Sequence, residues 1–72
     1  MNKDTVELEG VVTFVQMGGK FKVALENNKV ILCTLSGKMR INNIKVIVGD
    51  KVRIEVGSYD LTKGRIVYRY KN

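Results

Sequence analysis

The sequence predicts an all-β protein, a closed barrel of five strands with one short helix between the third and fourth strands. Two stretches, residues 20–26 and 51–56, alternate apolar and charged side chains with a period of two, which is typical of half-buried strands. Gly-Gly and Asn-Asn pairs separate the β-rich stretches at intervals that suit hairpins. Because 72 residues supply only one small core, we expect a single domain over residues 1–72.

The first predicted strand is long and bent. Residues 6–16 are rich in apolar and β-branched residues, and a strand of that length coils around a barrel, with Gly10 as the expected bulge or coiling point. Gly18 and Gly19 end this strand, since glycine reaches the backbone conformations that a tight turn requires. The second strand follows over residues 20–26.

The middle of the chain contains a turn, a strand and a helix. Asn27 and Asn28 tolerate positive φ, so they predict a tight turn into the third strand. Residues 30–35 are apolar on both faces, which indicates a central strand. Ser36 is a suitable N-cap and predicts one or two helical turns over residues 38–41.

Two more strands complete the predicted fold. Gly49 precedes the fourth, over residues 51–56, and residues 57–64 link it to a fifth over residues 65–70, with Gly64 as the permissive residue of the link. Three strands, a short helix and two strands is the order of the OB-fold, a five-stranded barrel. Apolar side chains from all five strands are expected in its core: Phe14, Phe21, Val23, Leu25, Cys33, Val52, Ile54, Val56 and Ile66.

The composition excludes several classes of protein. No histidine is present, and the single cysteine, Cys33, cannot form an intramolecular disulfide or a cysteine-rich zinc site. The acidic residues are not spaced as a metal site or a catalytic pair, so the sequence predicts no catalytic residue, no metal and no cofactor. The chain lacks an apolar secretory segment and any run of ~20 apolar residues, so we expect a protein of the cytoplasm or an organelle matrix that does not bind membranes.

The charge is strongly basic and unevenly placed. Thirteen Lys and Arg residues against seven Asp and Glu give a net charge of +6 and an isoelectric point near 9.7. Residues 1–27 contain three basic and four acidic residues, a net charge of −1, whereas residues 28–72 contain ten basic and three acidic residues, a net charge of +7. Such asymmetry predicts one side that faces a polyanion.

Two groups of cations are candidate contacts with that polyanion. The first surrounds the predicted helix and consists of Lys38, Arg40 and Lys45. A helical turn that presents Lys and Arg two residues apart can reach successive phosphates, although a solvated helix face is the alternative. The second group lies on the last strand and consists of Lys63, Arg65 and Arg69, with Arg69 expected to be largely exposed.

Aromatic side chains and the first loop are weaker signals. Tyr68 and Tyr70 share one face of the last strand, and nucleic-acid bases stack on aromatic rings for roughly 1–3 kcal/mol each. Two such platforms are few for a protein that binds single strands, so phosphate contact is expected to dominate. Gly18 and Gly19 allow a close approach of the loop backbone to a partner, or simply form a flexible hairpin.

Five blocks of sequence together point to one family. Residues 36–40, 49–52 and 59–67 read SGKMR, GDKV and YDLTKGRIV, preceded by LEGVV at 8–12 and FKVALEN at 21–27. In this order they closely resemble bacterial translation initiation factor one, over essentially the whole chain. Each block alone is a weak match, and their combination is specific.

The resemblance implies a monomeric, non-enzymatic OB-fold factor that binds the small ribosomal subunit at the aminoacyl-tRNA site. Such a factor acts with the other two initiation factors, excludes elongator tRNA, and promotes the choice of initiator tRNA and of the start codon of the mRNA. The ribosomal RNA contacts that the resemblance implies lie in the first loop, around the helix and on the last strand: Gly18, Gly19, Lys20, Lys38, Arg40, Lys45, Lys63, Arg65 and Arg69.

Two other functions stay open on the sequence. One is a cold-shock-like chaperone of single-stranded RNA, against which the scarcity of exposed aromatics argues. The other is a protein-interaction barrel whose basic face meets an acidic partner. An RNA complex differs from such a protein complex by a steep, roughly linear fall of log affinity with log salt. An enzyme is the least expected of the classes.

Overall fold

The computed structural model describes residues 5–70, which form five strands and one helix. Their order confirms the predicted all-β fold with a helix between the third and fourth strands. The elements are β1 (Thr5–Gln16), β2 (Lys20–Leu25), β3 (Val30–Leu35), α1 (Gly37–Ile41), β4 (Lys51–Gly57) and β5 (Asp60–Arg69).

The strands close into a barrel in the order β1-β2-β3-β5-β4. All pairs are antiparallel except β3 and β5, which run parallel. β1 is long enough to pair with both β2 and β4, and Gly10 lies where it changes partner, opposite Leu25 on one side and Val52 on the other. A Cβ at Gly10 would lie 2.6 Å from the carbonyl oxygen of Ala24, so this position needs glycine for close approach.

The irregularity in β1 lies further along the strand than predicted. The register between β1 and β2 shifts between Val12 and Phe14, not at Gly10. The expectation that Phe14 lies in the core is also wrong, since it is 51% exposed. Its ring points outward, and the Nζ atom of Lys22 on the neighbouring strand lies 5.4 Å from the ring centroid.

The remaining predicted core residues are buried, except Leu25, which is partly buried and packs against the core. Alternation along β4 places every second side chain inside, and the buried apolar set comes from all five strands, from α1 and from the loop after it: Val12, Phe21, Val23, Ile31, Cys33, Met39, Val46, Val52, Ile54, Val56 and Ile66. Burial raises the pKa of the Cys33 thiol to about 12. The thiol therefore stays protonated at neutral pH and acts as a small apolar side chain.

The predicted turns and helix cap are largely confirmed. Asn28 has a φ of 66° in the turn between β2 and β3. The hydroxyl of Ser36 accepts a hydrogen bond from the backbone N–H of Met39 at 3.3 Å, which caps α1. The link between β4 and β5 is shorter than the predicted residues 57–64, because β5 already begins at Asp60.

Gly64 lies within β5 and closes the barrel, whereas the sequence placed it in a turn. It is opposite Cys33 on β3 and Val56 on β4. A Cβ there would approach the carbonyl oxygen of Glu55 to 2.8 Å. The residue is therefore glycine because β4 approaches it closely, and not because its backbone is left-handed.

Gly64→Ala should lower the free energy of unfolding by roughly 1–3 kcal/mol, the usual cost of forcing a methyl group into a packed site. Gly57→Ala is the matched control, because a Cβ at Gly57 meets no atom within 4 Å. Urea unfolding followed by circular dichroism measures both. Equal stability of the two variants would contradict the close approach of β4 to β5 at Gly64.

Candidate nucleic-acid interface

The cations predicted around the helix are gathered at one end of the barrel. α1 inserts Met39 into the core, which turns Lys38 and Arg40 on either side of it towards solvent. Arg40 and Lys45 line one shallow depression beside Met39 and Ile44. Lys38 and Arg69 line a second groove, between α1 and β5. We call these four residues the helix cluster: Lys38, Arg40, Lys45 and Arg69.

Arg69 differs from its predicted role as a largely exposed side chain. Only 34% of the side chain is exposed, its Nη1 atom donates to the carbonyl oxygen of Lys45 at 2.7 Å, and the same atom lies 3.9 Å from Oδ2 of Asp50. Asp50 Oδ2 also accepts from the backbone N–H of Ile47 at 3.0 Å. Arg69 therefore fastens the loop that carries Lys45 to the end of β5.

Cations on the strands form a second group. In the register of the barrel, Lys20 lies opposite Thr34 and Thr34 lies beside Arg65. Two residues further along β2, Lys22 lies opposite Leu32 of β3, and Leu32 lies beside Lys63 of β5. All four cations are exposed and face outward across β2, β3 and β5. We call them the strand cluster: Lys20, Lys22, Lys63 and Arg65.

Sequence reasoning missed Lys22 as a candidate contact. The alternation of β2 already placed Lys20 and Lys22 on one outward face, but nothing local shows that β5 lies next to β3. That parallel pairing brings Lys63 within two strands of Lys22. On its other side Arg65 lies next to Glu55 of β4, and the two form an ion pair of 3.4 Å between an exposed guanidinium and a partly buried carboxylate.

The first loop lies at the same end of the barrel as the helix cluster. Gly18 and Gly19 have φ values of 84° and 77°, in the region that favours glycine. Lys20 is opposite Thr34, which comes just before the helix cap Ser36, so the turn before Lys20 and the start of α1 share one barrel end. The loop, the helix and the strand cluster are thus contiguous.

The aromatic residues of the last strand are divided between two roles. The ring centroids of Tyr68 and Tyr70 are 5.0 Å apart and the rings pack edge to face, which confirms that both side chains lie on the same side of the sheet. The Tyr70 hydroxyl donates to Glu9 and accepts from Arg53, and these contacts hold Tyr70, which follows β5, against β1 and β4. The hydrogen bond from Tyr70 lowers the pKa of Glu9. Tyr68 remains exposed and borders the groove that contains Lys38.

Three acidic side chains lie away from the helix cluster. Glu7, Glu9 and Glu26 border one groove beside Leu8 and Leu25. Glu26 follows the end of β2 that is opposite to Lys20, so this groove lies towards the other end of the barrel from the helix cluster. The separation of charge is partial, because Asp50 and Glu55 lie among the cations, beside Arg69 and Arg65.

Two kinds of site are absent from the part of the chain that the structure describes. Across residues 5–70, His, Cys, Asp and Glu side chains do not come together in a group of three or more that could hold a metal ion. Over the same residues, no helix has the length and apolarity to cross a membrane.

The whole chain matches the sequence profile of one family. That family is described as translation initiation factor 1A / IF-1, and the match covers residues 1–72. The chain belongs to the translation initiation factor 1A / IF-1 family. The resemblance drawn from the five sequence blocks is thereby confirmed.

Individual relatives agree with this assignment. A chloroplastic translation initiation factor IF-1 of Tetradesmus obliquus is 52% identical over 69 residues, which are 96% of this chain and 68% of that protein. The solution structure of the translation initiation factor IF-1 from the Wolbachia endosymbiont strain TRS of Brugia malayi matches with a TM-score of 0.81 and 42% identity, over 97% of this chain and 83% of that one. The barrel is thus the OB-fold of the IF-1 family.

A similar barrel occurs within a longer protein. The crystal structure of YjeQ from Thermotoga maritima matches with a TM-score of 0.72 and 31% identity, over 92% of this chain and 23% of that chain. The likeness is therefore to one part of that protein.

Arg69→Ala should lower the free energy of unfolding by about 1–2 kcal/mol, because it removes a hydrogen bond from a charged donor to the Lys45 carbonyl. Arg40→Ala should change it by less than about 0.5 kcal/mol, since that side chain is exposed. Chemical unfolding of the two variants, which remove the same charge, measures the difference. If Arg69→Ala is as stable as Arg40→Ala, Arg69 does not fasten the loop.

Proposed function

We propose that this IF-1 family member binds the small ribosomal subunit at the aminoacyl-tRNA site, through contacts with ribosomal RNA. The observation that carries the proposal is the gathering of cations from separate segments onto one side of the barrel, next to the first loop. The proposed contacts are Gly18, Gly19, Lys20, Lys38, Arg40, Lys45, Lys63, Arg65 and Arg69.

Phosphate contact is the main source of affinity in this proposal. Lys38, Arg40 and Lys45 are exposed and supply donors in different directions around the end of α1. The guanidinium of Arg40 can donate two hydrogen bonds to one phosphate, whereas the lysines act as point charges. Arg69 contributes chiefly by fixing the backbone of the loop at Lys45, so that the exposed lysine side chain starts from a defined position.

The mechanism is occupancy, and no bond is made or broken. The Cα atoms of the described residues span 28 × 27 × 24 Å, so the barrel can fill a site of similar size. An elongator tRNA cannot enter a site that is already filled. The binding energy also shifts the population of subunit conformations towards those that are competent for initiation, since a ligand favours the state that it binds more tightly.

The proposed partners follow from this position on the subunit. The chain acts in the cytoplasm, as a monomer and as one domain over residues 1–72, without a cofactor. It works together with the other two initiation factors, and in the complex that holds initiator tRNA and mRNA it promotes the choice of that tRNA and of the start codon. No enzymatic activity belongs to the proposal.

A cold-shock-like chaperone of single-stranded RNA remains the second candidate, and one observation favours it. Phe14 is exposed, which adds to exposed Tyr68 a second aromatic platform, one that the sequence did not predict. The two functions differ in their preferred ligand. Binding of free single strands as tightly as intact small subunits would favour the chaperone.

Replacing Arg40 and Lys45 by Ala together should weaken binding to purified small subunits and make the salt dependence shallower. The slope of log affinity against log salt should change by about one for each phosphate that the variant no longer binds. The melting temperature should change little, because both side chains are exposed. Co-sedimentation across a salt series, with and without the other two factors, measures the binding.

The matched control is Lys29→Ala, compared with Arg40→Ala and Lys45→Ala as single variants, because each removes one positive charge and Lys29 is outside the helix cluster. Lys29 is exposed and precedes β3. Equal binding and equal salt slopes for the three single variants would mean that the helix cluster contributes only general positive charge.

A further inference from the structure

The first half of β1 has a neighbouring strand on one side only. Residues 5–11 pair with β4, whereas the pairing of β1 with β2 begins at Gly10, opposite Leu25. After Leu25 the chain turns away from β1 into β3. Within the described part of the chain, residues 6–9 therefore have no strand partner on the β2 side. We propose that this edge binds an extended basic segment of a partner protein, which adds to the barrel as a further short strand.

The backbone of Glu7 directs its hydrogen-bonding groups towards this edge. Along a strand, alternate residues bond to the neighbours on opposite sides. Val12 bonds towards β4, since its N–H donates to the Asp50 carbonyl at 2.9 Å and its carbonyl accepts from the Gly49 N–H at 2.8 Å. Leu8 lies an even number of residues before Val12 in an unbroken register with β4, so it also bonds to β4. The N–H and C=O of Glu7 therefore face the open side, where one residue of an added strand can bond to both.

A groove beside this edge has an apolar base and acidic borders. Leu8 and Leu25 are partly buried and pack against the core, which leaves part of each side chain open to the groove. Successive side chains of a strand point to opposite faces, so a residue bound opposite Glu7 turns its two neighbours inward over these leucines. The added segment should therefore have an apolar residue on either side of its central residue. The groove is lined by Glu7, Leu8, Glu9, Leu25, Glu26 and Asn27.

The charges beside the groove favour a basic central residue. Three of the six residues that line it are glutamates, and the other three are uncharged. Glu9 already lies 3.8 Å from the ammonium of Lys51 and 3.9 Å from the guanidinium of Arg53. Glu7 and Glu26 are exposed and form no ion pair with another residue that the structure describes. A Lys or Arg opposite Glu7 would lie on the same face as this carboxylate, and such opposite charges across two strands stabilise their pairing.

The same charges disfavour two other occupants of the edge. A second copy of this chain, paired edge to edge about Glu7, would place like charges directly opposite each other, which is destabilising. A nucleic-acid strand would bring phosphates against the carboxylates of Glu7 and Glu26. The edge also lies towards the other end of the barrel from the helix cluster, so a protein segment bound there leaves the proposed RNA contacts free. The inference therefore goes beyond the proposed function and does not depend on it.

The test uses the full-length chain and a fluorescent peptide of sequence Lys-Val-Lys-Val-Lys, whose affinity is measured by fluorescence anisotropy. Its central lysine can pair with Glu7, and a valine then lies inward on either side. N-methylation of the central lysine removes the N–H that bonds to the Glu7 carbonyl, so it should weaken binding by about 2- to 13-fold. N-methylation of one valine is the matched control. Because the N–H of that valine points away from β1, its methylation should leave the affinity unchanged.

Substitutions in the chain test the charge at the edge. Glu7→Gln removes the carboxylate opposite the lysine and nearly keeps the shape of the side chain, so it should weaken peptide binding by about 1.4- to 5-fold. Asp50→Asn is the matched control, because it removes the same charge beside Arg69, away from the edge. The amide oxygen of the asparagine can still accept from the Ile47 N–H, and the variant should keep the parent affinity. Circular dichroism confirms that both variants are folded.

Amide hydrogen exchange locates the bound peptide. The Glu7 amide should exchange more slowly when the peptide is bound, whereas the Leu8 amide, already bonded towards β4, should exchange slowly in both states. Unchanged exchange at Glu7 would overturn the added strand. Equal losses of affinity from the two N-methylations, or equal affinities of Glu7→Gln and Asp50→Asn, would also overturn it, by showing only general attraction between peptide and protein. These measurements involve no RNA and no ribosomal subunit, so they stand or fall separately from the proposed function.

Discussion

The parallel pairing of β3 with β5 is the constraint on which the rest of the structure depends. It joins the two ends of the sheet and places Cys33 opposite Gly64, and Gly64 in turn lets β4 approach closely on the other side, where a Cβ would collide with the Glu55 carbonyl. Once the barrel is closed, Cys33 and Ile66 face the core. Thr34 and Arg65, which pair with each other between those two positions, face outward. The same pairing places Lys63 and Arg65 beside a strand that is distant from them along the chain.

Closure of the barrel also separates the charges. The helix cluster and the first loop share one end, while Glu7 and Glu26 border a groove towards the other. Cations concentrated on one side attract a polyanion and orient it during approach, which a uniform distribution of the same charges does not do. Arg69 contributes to the stability of the fold as well as to the positive charge of the helix cluster. Its guanidinium fixes the loop that carries Lys45.

The sequence alone predicted the features that depend on local pattern. The alternation of Val52, Ile54 and Val56 determined which face of β4 is buried, and Ser36 marked the start of α1. The features it could not predict depend on neighbours distant in the chain. Phe14 was wrongly expected in the core, because the register shift that accompanies its outward position involves the pairing with β2. The partners of Arg69 and Lys22 likewise lie on other elements.

The central claim is that the end of the barrel with α1 faces ribosomal RNA, and directed cleavage from a tethered iron chelate tests it most directly. Cys33 is buried with a raised pKa, so a surface cysteine introduced as Ile41→Cys or Glu26→Cys can be labelled selectively. Ile41 is 82% exposed beside Arg40, and Glu26 lies at the acidic end. The account predicts strong hydroxyl-radical cleavage of small-subunit RNA from position 41 and much weaker cleavage from position 26. Equal cleavage from both, or stronger cleavage from position 26, would contradict it.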